Sequence, residues 1–422
     1  MRVLVIGSGG REHAIIKSLK KNARVKKIYA ASGNGGISRD AELAPVKPLD
    51  ITGMTEFAVN NKIDYVVVAP DDPLSIGMVD ALEEKGIRCF GPSKAAARVE
   101  SSKVFSKNLM KKYNIPTALF ETFSEPDKAR AYLNSVTFPI VIKADGLALG
   151  KGVIIAEKLN EALGAIKEIM QDKKYGESGS NIVIEEYLHG HEATVLAFTD
   201  GNHIIPMISS MDHKRVFDGN KGLNTGGMGV IAPNPYYTRS IAEDCMKKIF
   251  IPTIEALKKE GCPFKGCLYF GLMLTGKGPM VIEYNARFGD PEAQAVLSLL
   301  DTDLLEIMEA VTDGKLAGVK IKWKNEHAAC IILASGGYPR EYETGFLING
   351  LNKDGEAENN NDVTVFHSGT DFIDGSFYTK GGRVLGVNAK GAALDLALKK
   401  AYNAVKNINF EKMHYRKDIG SL

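Results

Sequence analysis

A chain of 422 residues is too long for one hydrophobic core, and roughly two to four domains are expected of it. Its 53 basic and 51 acidic residues leave a formal charge of +2, which argues against a nucleic-acid coat or a membrane-surface protein, and no apolar run approaches the roughly 18 residues of a membrane span. The five cysteines (Cys89, Cys245, Cys262, Cys267 and Cys330) contain no Cys-x-x-Cys, so free thiols in a reducing cytoplasm are expected, and nothing before the first strand is laid out as a signal peptide.

The chain opens with an aliphatic strand over residues 3–6, a turn carrying Gly7, Gly9 and Gly10, and a helical pattern over residues 12–20. Strand, glycine turn and helix start together suggest a phosphate site of the dinucleotide kind. That fingerprint breaks twice. Glu12 stands where its third glycine would fall, and the second strand, residues 27–31, ends without an acid to grip a ribose. The turn is therefore expected to meet a phosphate other than that of NAD, and a dehydrogenase is disfavoured. Short apolar strands at residues 64–69 and 87–90, with a helix over residues 75–85, predict a parallel sheet covered on both faces. Such sheets bind ligands at the carboxyl ends of their strands, where residues 7–10 and 69–73 fall.

A helix over residues 102–113, stopped by Asn114-Ile115-Pro116, leads into an α+β region. It has strands at residues 139–143, 153–156 and 182–187 and a helix over 159–170. Strands at 193–198, 203–207, 266–274 and 280–285 follow, with a long helix over 239–260. After Trp323 come strands at 328–334, 363–367 and 383–389, then an amphipathic helix with Leu394, Leu398, Ala401 and Val405 on one face. Residues 352–362 are polar enough for an exposed loop.

Three segments carry chemistry. K-A-D-G-L-A-L-G-K-G-V, residues 143–153, is no Walker A loop, since Gly152 stands where the metal-binding hydroxyl would be. Its glycines, bracketed by Lys143 and Lys151, still offer backbone N–H groups and ammonium groups to a triphosphate. In V-I-E-Y-N-A-R-F-G-D-P-E, residues 281–292, Glu283, Asn285 and Arg287 fall on one strand face. A carboxylate and an amide carbonyl make a hard oxygen site for Mg²⁺, and an arginine beside them can clamp a transferring phosphoryl group. In V-I-E-E-Y-L-H-G-H-E-A-T, residues 183–194, a strand edge with acids suits adenine and ribose. Ser8 and His13 hint at a hydrolase, but His13 lies in the first turn of a helix, where capping or packing is the expected role.

Taken in order, the motifs V-L-V-I-G-S-G-G-R-E-H, F-G-P-S-K-A-A-A, I-V-I-K-A-D-G-L-A, D-H-K-R, N-T-G-G-M-G, R-F-G-D-P-E, G-G-R-V-L and R-K-D-I-G make the chain resemble the phosphoribosylamine–glycine ligases from residue 1 to about residue 420. These are ATP-grasp enzymes of purine biosynthesis. The resemblance implies an α/β and α+β multidomain fold: an N-terminal parallel-sheet (pre-ATP-grasp) domain, residues 1–101, that binds phosphoribosylamine, an ATP-grasp core, residues 102–325, and a small C-terminal α+β domain, residues 326–422. Within the core, residues 115–189 would bind nucleotide under a phosphate lid, and residues 190–325 would carry the metal site.

The same resemblance assigns ATP to Lys103, Lys143, Gly150, Lys151, Gly152, Glu185, Glu186, Leu188 and Glu192, and Mg²⁺ or Mn²⁺ to Glu283 and Asn285. It assigns the substrates to Gly9, Gly10, Arg11, Asp71, Asp212, Lys214, Arg287, Gly289 and Asp290, with Arg287, Lys143, Lys151, Asp212 and Asp290 as the catalytic set. The implied reaction joins glycine to 5-phosphoribosylamine through glycyl phosphate, in a cytoplasmic monomer whose partners are small molecules, neither nucleic acid nor membrane. The sequence departs from the family at Ala69 and Asp71, where Gly and Glu are usual, at Leu149 for Ala, and at Met211 for Gln. Another ATP-grasp carboxylate–amine ligase, of the biotin-carboxylase kind, would share only the middle of the chain. A non-catalytic nucleotide binder would have no need of Glu283, Asn285 and Arg287 together.

Overall fold

The aliphatic strand at the start of the chain, Arg2–Gly7, becomes the centre of a five-stranded parallel sheet. The computed structural model describes residues 1–147 and 152–421. Lys27–Ser32 and Tyr65–Val68 pair on either side of the first strand, with Glu42–Leu43 and Arg88–Phe90 outside them. Val3, Val5 and Ile6 are buried, as full burial between two helical layers requires. The helix expected at residues 75–85 is two, Asp71–Ile76 and Met78–Glu84, broken at Gly77 with φ +96°.

An antiparallel sheet follows, in the order Phe120–Phe123, Ile182–Glu186, Ile140–Ala144, Val153–Ala156. A second antiparallel sheet runs Ile204–Pro206, His191–Asp200, Lys265–Thr275, Gly278–Asn285. Its last pairing carries a bulge: Leu272 faces Val281 while Gly271 faces Glu283, which leaves Ile282 as the extra residue. The helix expected over 239–260 is continuous but not uniform. A wide π turn, Met246–Phe250, separates Arg239–Cys245 from Ile251–Lys259, just before Pro252, which has no amide hydrogen to donate. A second wide turn, Lys167–Gln171, ends the helix that starts at Leu159.

The last sheet crosses a sequence boundary. Gly229–Ala232, with Met211–Asp212 at its edge, pairs with His327–Ser335, which in turn pairs with Arg383–Gly391 and Val363–His367. The amphipathic helix Leu394–Val405 covers this sheet through buried Ala397, Ala401 and Val405. The polar stretch expected to be a plain loop is partly anchored: Ala357 is buried, and Glu356 pairs with Lys17 of the first helix at 2.6 Å.

Candidate active site

The bulge at Ile282 shapes the site. It frees the Ile282 carbonyl to accept from Lys143 Nζ at 3.1 Å. Glu283 and Asn285 then line one cleft, while Tyr284 between them points into the core and hydrogen-bonds Thr253 at 2.9 Å. Gly271 opposite lets this happen, since a Cβ there would lie 3.2 Å from Glu283 Cγ. The cleft, of about 420 Å³, gathers Lys103, Lys143, Gly152, Glu185, Asp212, Lys214, Arg287, Gly289 and Asp290 from the expected set, with Arg11 and Asp71 from the parallel-sheet region.

Its electrostatics are those of a polyanion site with embedded acids. Burial alone would raise the Glu283 carboxyl, but Lys214, Lys143 and Lys103 around it hold it below its ordinary range. A carboxylate kept ionised beside an amide oxygen fits a cation that is also held by phosphate oxygens. Among the described residues no group of three or more His, Cys, Asp or Glu forms a self-sufficient metal cage. Glu185 is shared by two cations, Lys107 at 3.0 Å and Lys143 at 3.1 Å, and burial pushes Lys107 down to about 8. Lys103 donates to the Gly146 carbonyl at 2.9 Å.

Arg287 lies beyond the strand end, fixed by Glu100 at 3.0 Å and near Asp71 at 3.8 Å. Glu100 also accepts from the Ala286 amide at 2.6 Å, so one buried carboxylate holds both backbone and guanidinium. Asp290 is gripped by Arg383, which reaches its carboxylate at 3.2 Å and its carbonyl at 2.7 Å. Asp212 is raised well above the usual carboxylate range by burial and by the neighbouring Glu292. Lys214 is raised by Glu192, 2.9 Å away.

Some expected residues stand off the cleft wall. Glu192 is exposed and reaches the cleft only through Lys214, Leu188 is half-buried, and Glu186 turns outward to accept from the Leu119 amide at 2.9 Å. Gly150 and Lys151, with Ala148 and Leu149, lie outside the described residues. Gly9 sits against two acids: its amide donates to Glu12 at 2.6 Å, and a Cβ on it would lie 3.1 Å from Asp290. Gly10 faces inward, where a Cβ would lie 2.4 Å from Gln294 and 2.7 Å from Ser368. Glu12, which broke the dinucleotide pattern, closes the turn and binds Arg11 at 2.6 Å. His13 is packed and neutral in role: its Nδ1 accepts from the His367 amide at 2.8 Å, and its Nε2 faces Asp40 at 2.9 Å.

Glu100, Lys107, Glu292, Tyr269 and Arg383 line the cleft without having been singled out from the sequence. Glu292 and Arg383 lie inside quoted motifs. Glu100 left a subtler sign, an acid on the same helical stripe as buried Ala96, Ala97 and Val99.

This fold and cleft define an ATP-grasp enzyme. Sequence profiles of phosphoribosylglycinamide synthetase match three stretches: its N domain at residues 1–100, its ATP-grasp (A) domain at 101–293 and its C domain at 328–422. The chain belongs to this family, the phosphoribosylamine–glycine ligases. A relative of that name from Caldanaerobacter subterraneus is 48% identical over 421 residues, covering 100% of both chains. Another from Clostridium acetobutylicum is 46% identical, covering 100% of this chain and 99% of its own. The crystal structure of phosphoribosylamine–glycine ligase from Thermotoga maritima superposes with a TM-score of 0.86 at 32% identity, over 99% of this chain and 100% of that one. The biotin carboxylase domain of Hydrogenobacter thermophilus 2-oxoglutarate carboxylase shares the fold alone, at 15% identity, TM-score 0.75, and 98% and 91% coverage.

Proposed function

We propose that the cleft performs its family's ligation in two steps, both run by positioning and charge. First, a glycine carboxylate oxygen attacks the γ-phosphorus of ATP and ADP leaves, giving glycyl phosphate. Then the amine nitrogen of 5-phosphoribosylamine attacks the acyl carbon, phosphate leaves, and the nitrogen gives up a proton. Carboxylate itself is a poor acyl donor because oxide is a poor leaving group, so the phosphoryl transfer makes the amide accessible.

One observation carries the amino-acid part of this reading. Arg287 Nε and Asp212 Oδ1 are both buried in the cleft residues without a hydrogen-bond partner among the described residues. A free donor on a cation and a free acceptor on an acid suit a small zwitterion. Lys214 and Arg287 take its carboxylate, and Asp212 and Asp290 its ammonium group. Lys103, Lys143, Gly150, Lys151 and Gly152 take the phosphates, and Glu185, Glu186, Leu188 and Glu192 the nucleoside. Glu283 and Asn285 would hold Mg²⁺ or Mn²⁺, which when bound neutralises triphosphate charge. Gly9, Gly10, Arg11, Asp71 and Gly289 receive phosphoribosylamine, and the departing phosphate takes the proton its nitrogen loses. Arg287 neutralises the phosphoryl group in transfer.

We take the enzyme to act as a cytoplasmic monomer, a reading that five free, buried cysteines suit and that light scattering would check. Among the described residues no helix is long and apolar enough to cross a membrane. The reaction is tested by phosphate release from ATP with glycine and phosphoribosylamine supplied separately and together. Full release is expected only with both. Release that ignores glycine, or that bicarbonate supports instead, would overturn the assignment.

A further inference from the structure

A second cavity, of about 350 Å³, shares no lining residue with the cleft. Two helices connect them. Gly10–Leu19 presents Arg11 to the cleft and Lys17 to the second cavity, and Glu292–Ser298 presents Glu292 to the cleft and Leu297 to the cavity. Five lysines face this cavity, Lys17, Lys20, Lys21, Lys324 and Lys390, against the carboxylates of Asp40 and Glu356. Both acids are already engaged. Asp40 meets Lys20 at 2.6 Å, Lys17 at 2.9 Å and His13 at 2.9 Å, and Glu356 meets Lys17 at 2.6 Å. Lys390 reaches only Glu326, at 3.5 Å, and Lys21 and Lys324 have no carboxylate within 4.0 Å among the described residues. Burial and the nearby Lys390 hold both of these ammonium groups below their ordinary range.

In a chain whose net charge is only +2, two cations without a carboxylate partner, beside a third paired only at 3.5 Å, are a local excess in one partly enclosed space. A singly charged carboxylate would leave half of that excess in place, whereas a phosphate carries roughly −1.5 to −2 at neutral pH with three acceptor oxygens. The floor beneath, with Ala14 and Phe366 buried beside Leu297, is apolar enough to receive a ring. We propose that this cavity is a second, non-catalytic binding site for a phosphate-bearing small molecule, with the phosphate held by Lys21, Lys324 and Lys390.

The test is calorimetric titration of the full chain with pyrophosphate, inorganic phosphate and AMP, after the cleft has been saturated with a non-hydrolysable ATP analogue and Mg²⁺. One residual site is expected, weakened at least tenfold in a Lys324→Ala/Lys390→Ala variant whose turnover stays within twofold of the parent. AMP binding at least as tightly as pyrophosphate upholds a nucleotide whose ring uses the apolar floor. Pyrophosphate or phosphate binding alone upholds an inorganic source. Should the double variant fail to fold, Lys21→Ala by itself must weaken the same binding at least threefold. No residual site, unchanged binding in the lysine variants, or equal displacement by chloride at matched ionic strength would each overturn the proposal.

Discussion

Arg287 is held from two directions, and the second holder also governs the backbone next to Asn285. Because Glu100 accepts from the Ala286 amide at 2.6 Å and pairs with Arg287 at 3.0 Å, its charge aligns the guanidinium with the cleft. Removing one member of a buried pair strands the other, at about 3–5 kcal/mol. Glu100→Ala is therefore expected to lower stability by about 3 kcal/mol in urea unfolding. Glu100→Gln keeps the shape, and its kcat should fall at least tenfold with KM for ATP little changed. Burial lifts the Glu100 carboxyl to about 7, with Arg287 pulling the other way. Ionised Glu100 is the form that holds Arg287, so kcat should rise with pH through about 7, and the Gln variant should lose that limb. A Gln variant with the parent's pH profile would remove Glu100 from this role. At the neighbouring position pair, Glu283→Gln or Asn285→Ala should abolish turnover without changing the circular dichroism spectrum. Near-normal activity of either at limiting Mg²⁺ would sink the metal assignment.

The opening glycine turn shows what an element adds to its residues. Strand, turn and helix were legible from four aliphatic residues and three glycines, because both periodicity and turn chemistry are local properties. What the glycines face was not legible, since Gln294, Ser368 and Asp290 arrive from chain segments hundreds of residues away. The same holds for Glu283 and Asn285, whose shared face was readable, while the bulge at Ile282 beside them depends on the partner strand. Lys107 escaped notice for a related reason, since a single charge on a helix is marked by burial alone, and for Glu100 the stripe shared with Ala96, Ala97 and Val99 was the one local sign. The turn's geometry also changes which substitution is informative. Gly10→Val would push into Gln294 and Ser368, so it should lower the melting temperature and weaken all three substrates together. Gly9→Ala meets only the carboxylate ends of two acids, Glu12 and Asp290. It should raise the KM for phosphoribosylamine at least fivefold while ATP binding stays near the parent's. Equal weakening of ATP binding in the Gly9 variant would remove the turn from the sugar-phosphate site.

At the scale of the molecule, buried neutral histidines tie distant segments. His213 points one ring nitrogen at the Gly229 carbonyl, 3.2 Å away, and accepts from the Gly420 amide at 3.1 Å with the other. His367 sits between Gly355 and Thr370. Burial lowers His213 to about 4, helped by Arg416, and lowers His367 to about 3. The unfolded chain, with histidines near 6.5, binds protons that the folded one refuses. Stability from these groups is thus complete above pH 6.5 and falls as pH drops toward 4 and then 3. In His213→Gln, which can still donate and accept, the loss between pH 7 and pH 4.5 should be smaller by about 2 kcal/mol in urea unfolding. An unchanged pH slope would show that His213 is not kept neutral by the fold.

The sheet that joins Gly229–Ala232 to His327–Ser335 has a consequence for anyone dividing the gene. A fragment ending near residue 325 would keep every metal and phosphate ligand proposed for the catalytic cleft, yet it would carry away one half of a ladder. The Gly229–Ala232 strand, all four residues buried in the whole chain, would present bare amide and carbonyl groups on an apolar face. Such a piece should be recovered from expression as aggregates, and the C-terminal piece, with His327–Ser335 similarly stripped, should fare no better. Supplied together as two chains, the halves have a reason to find each other, which makes this strand pair a natural joint for a split-protein reporter.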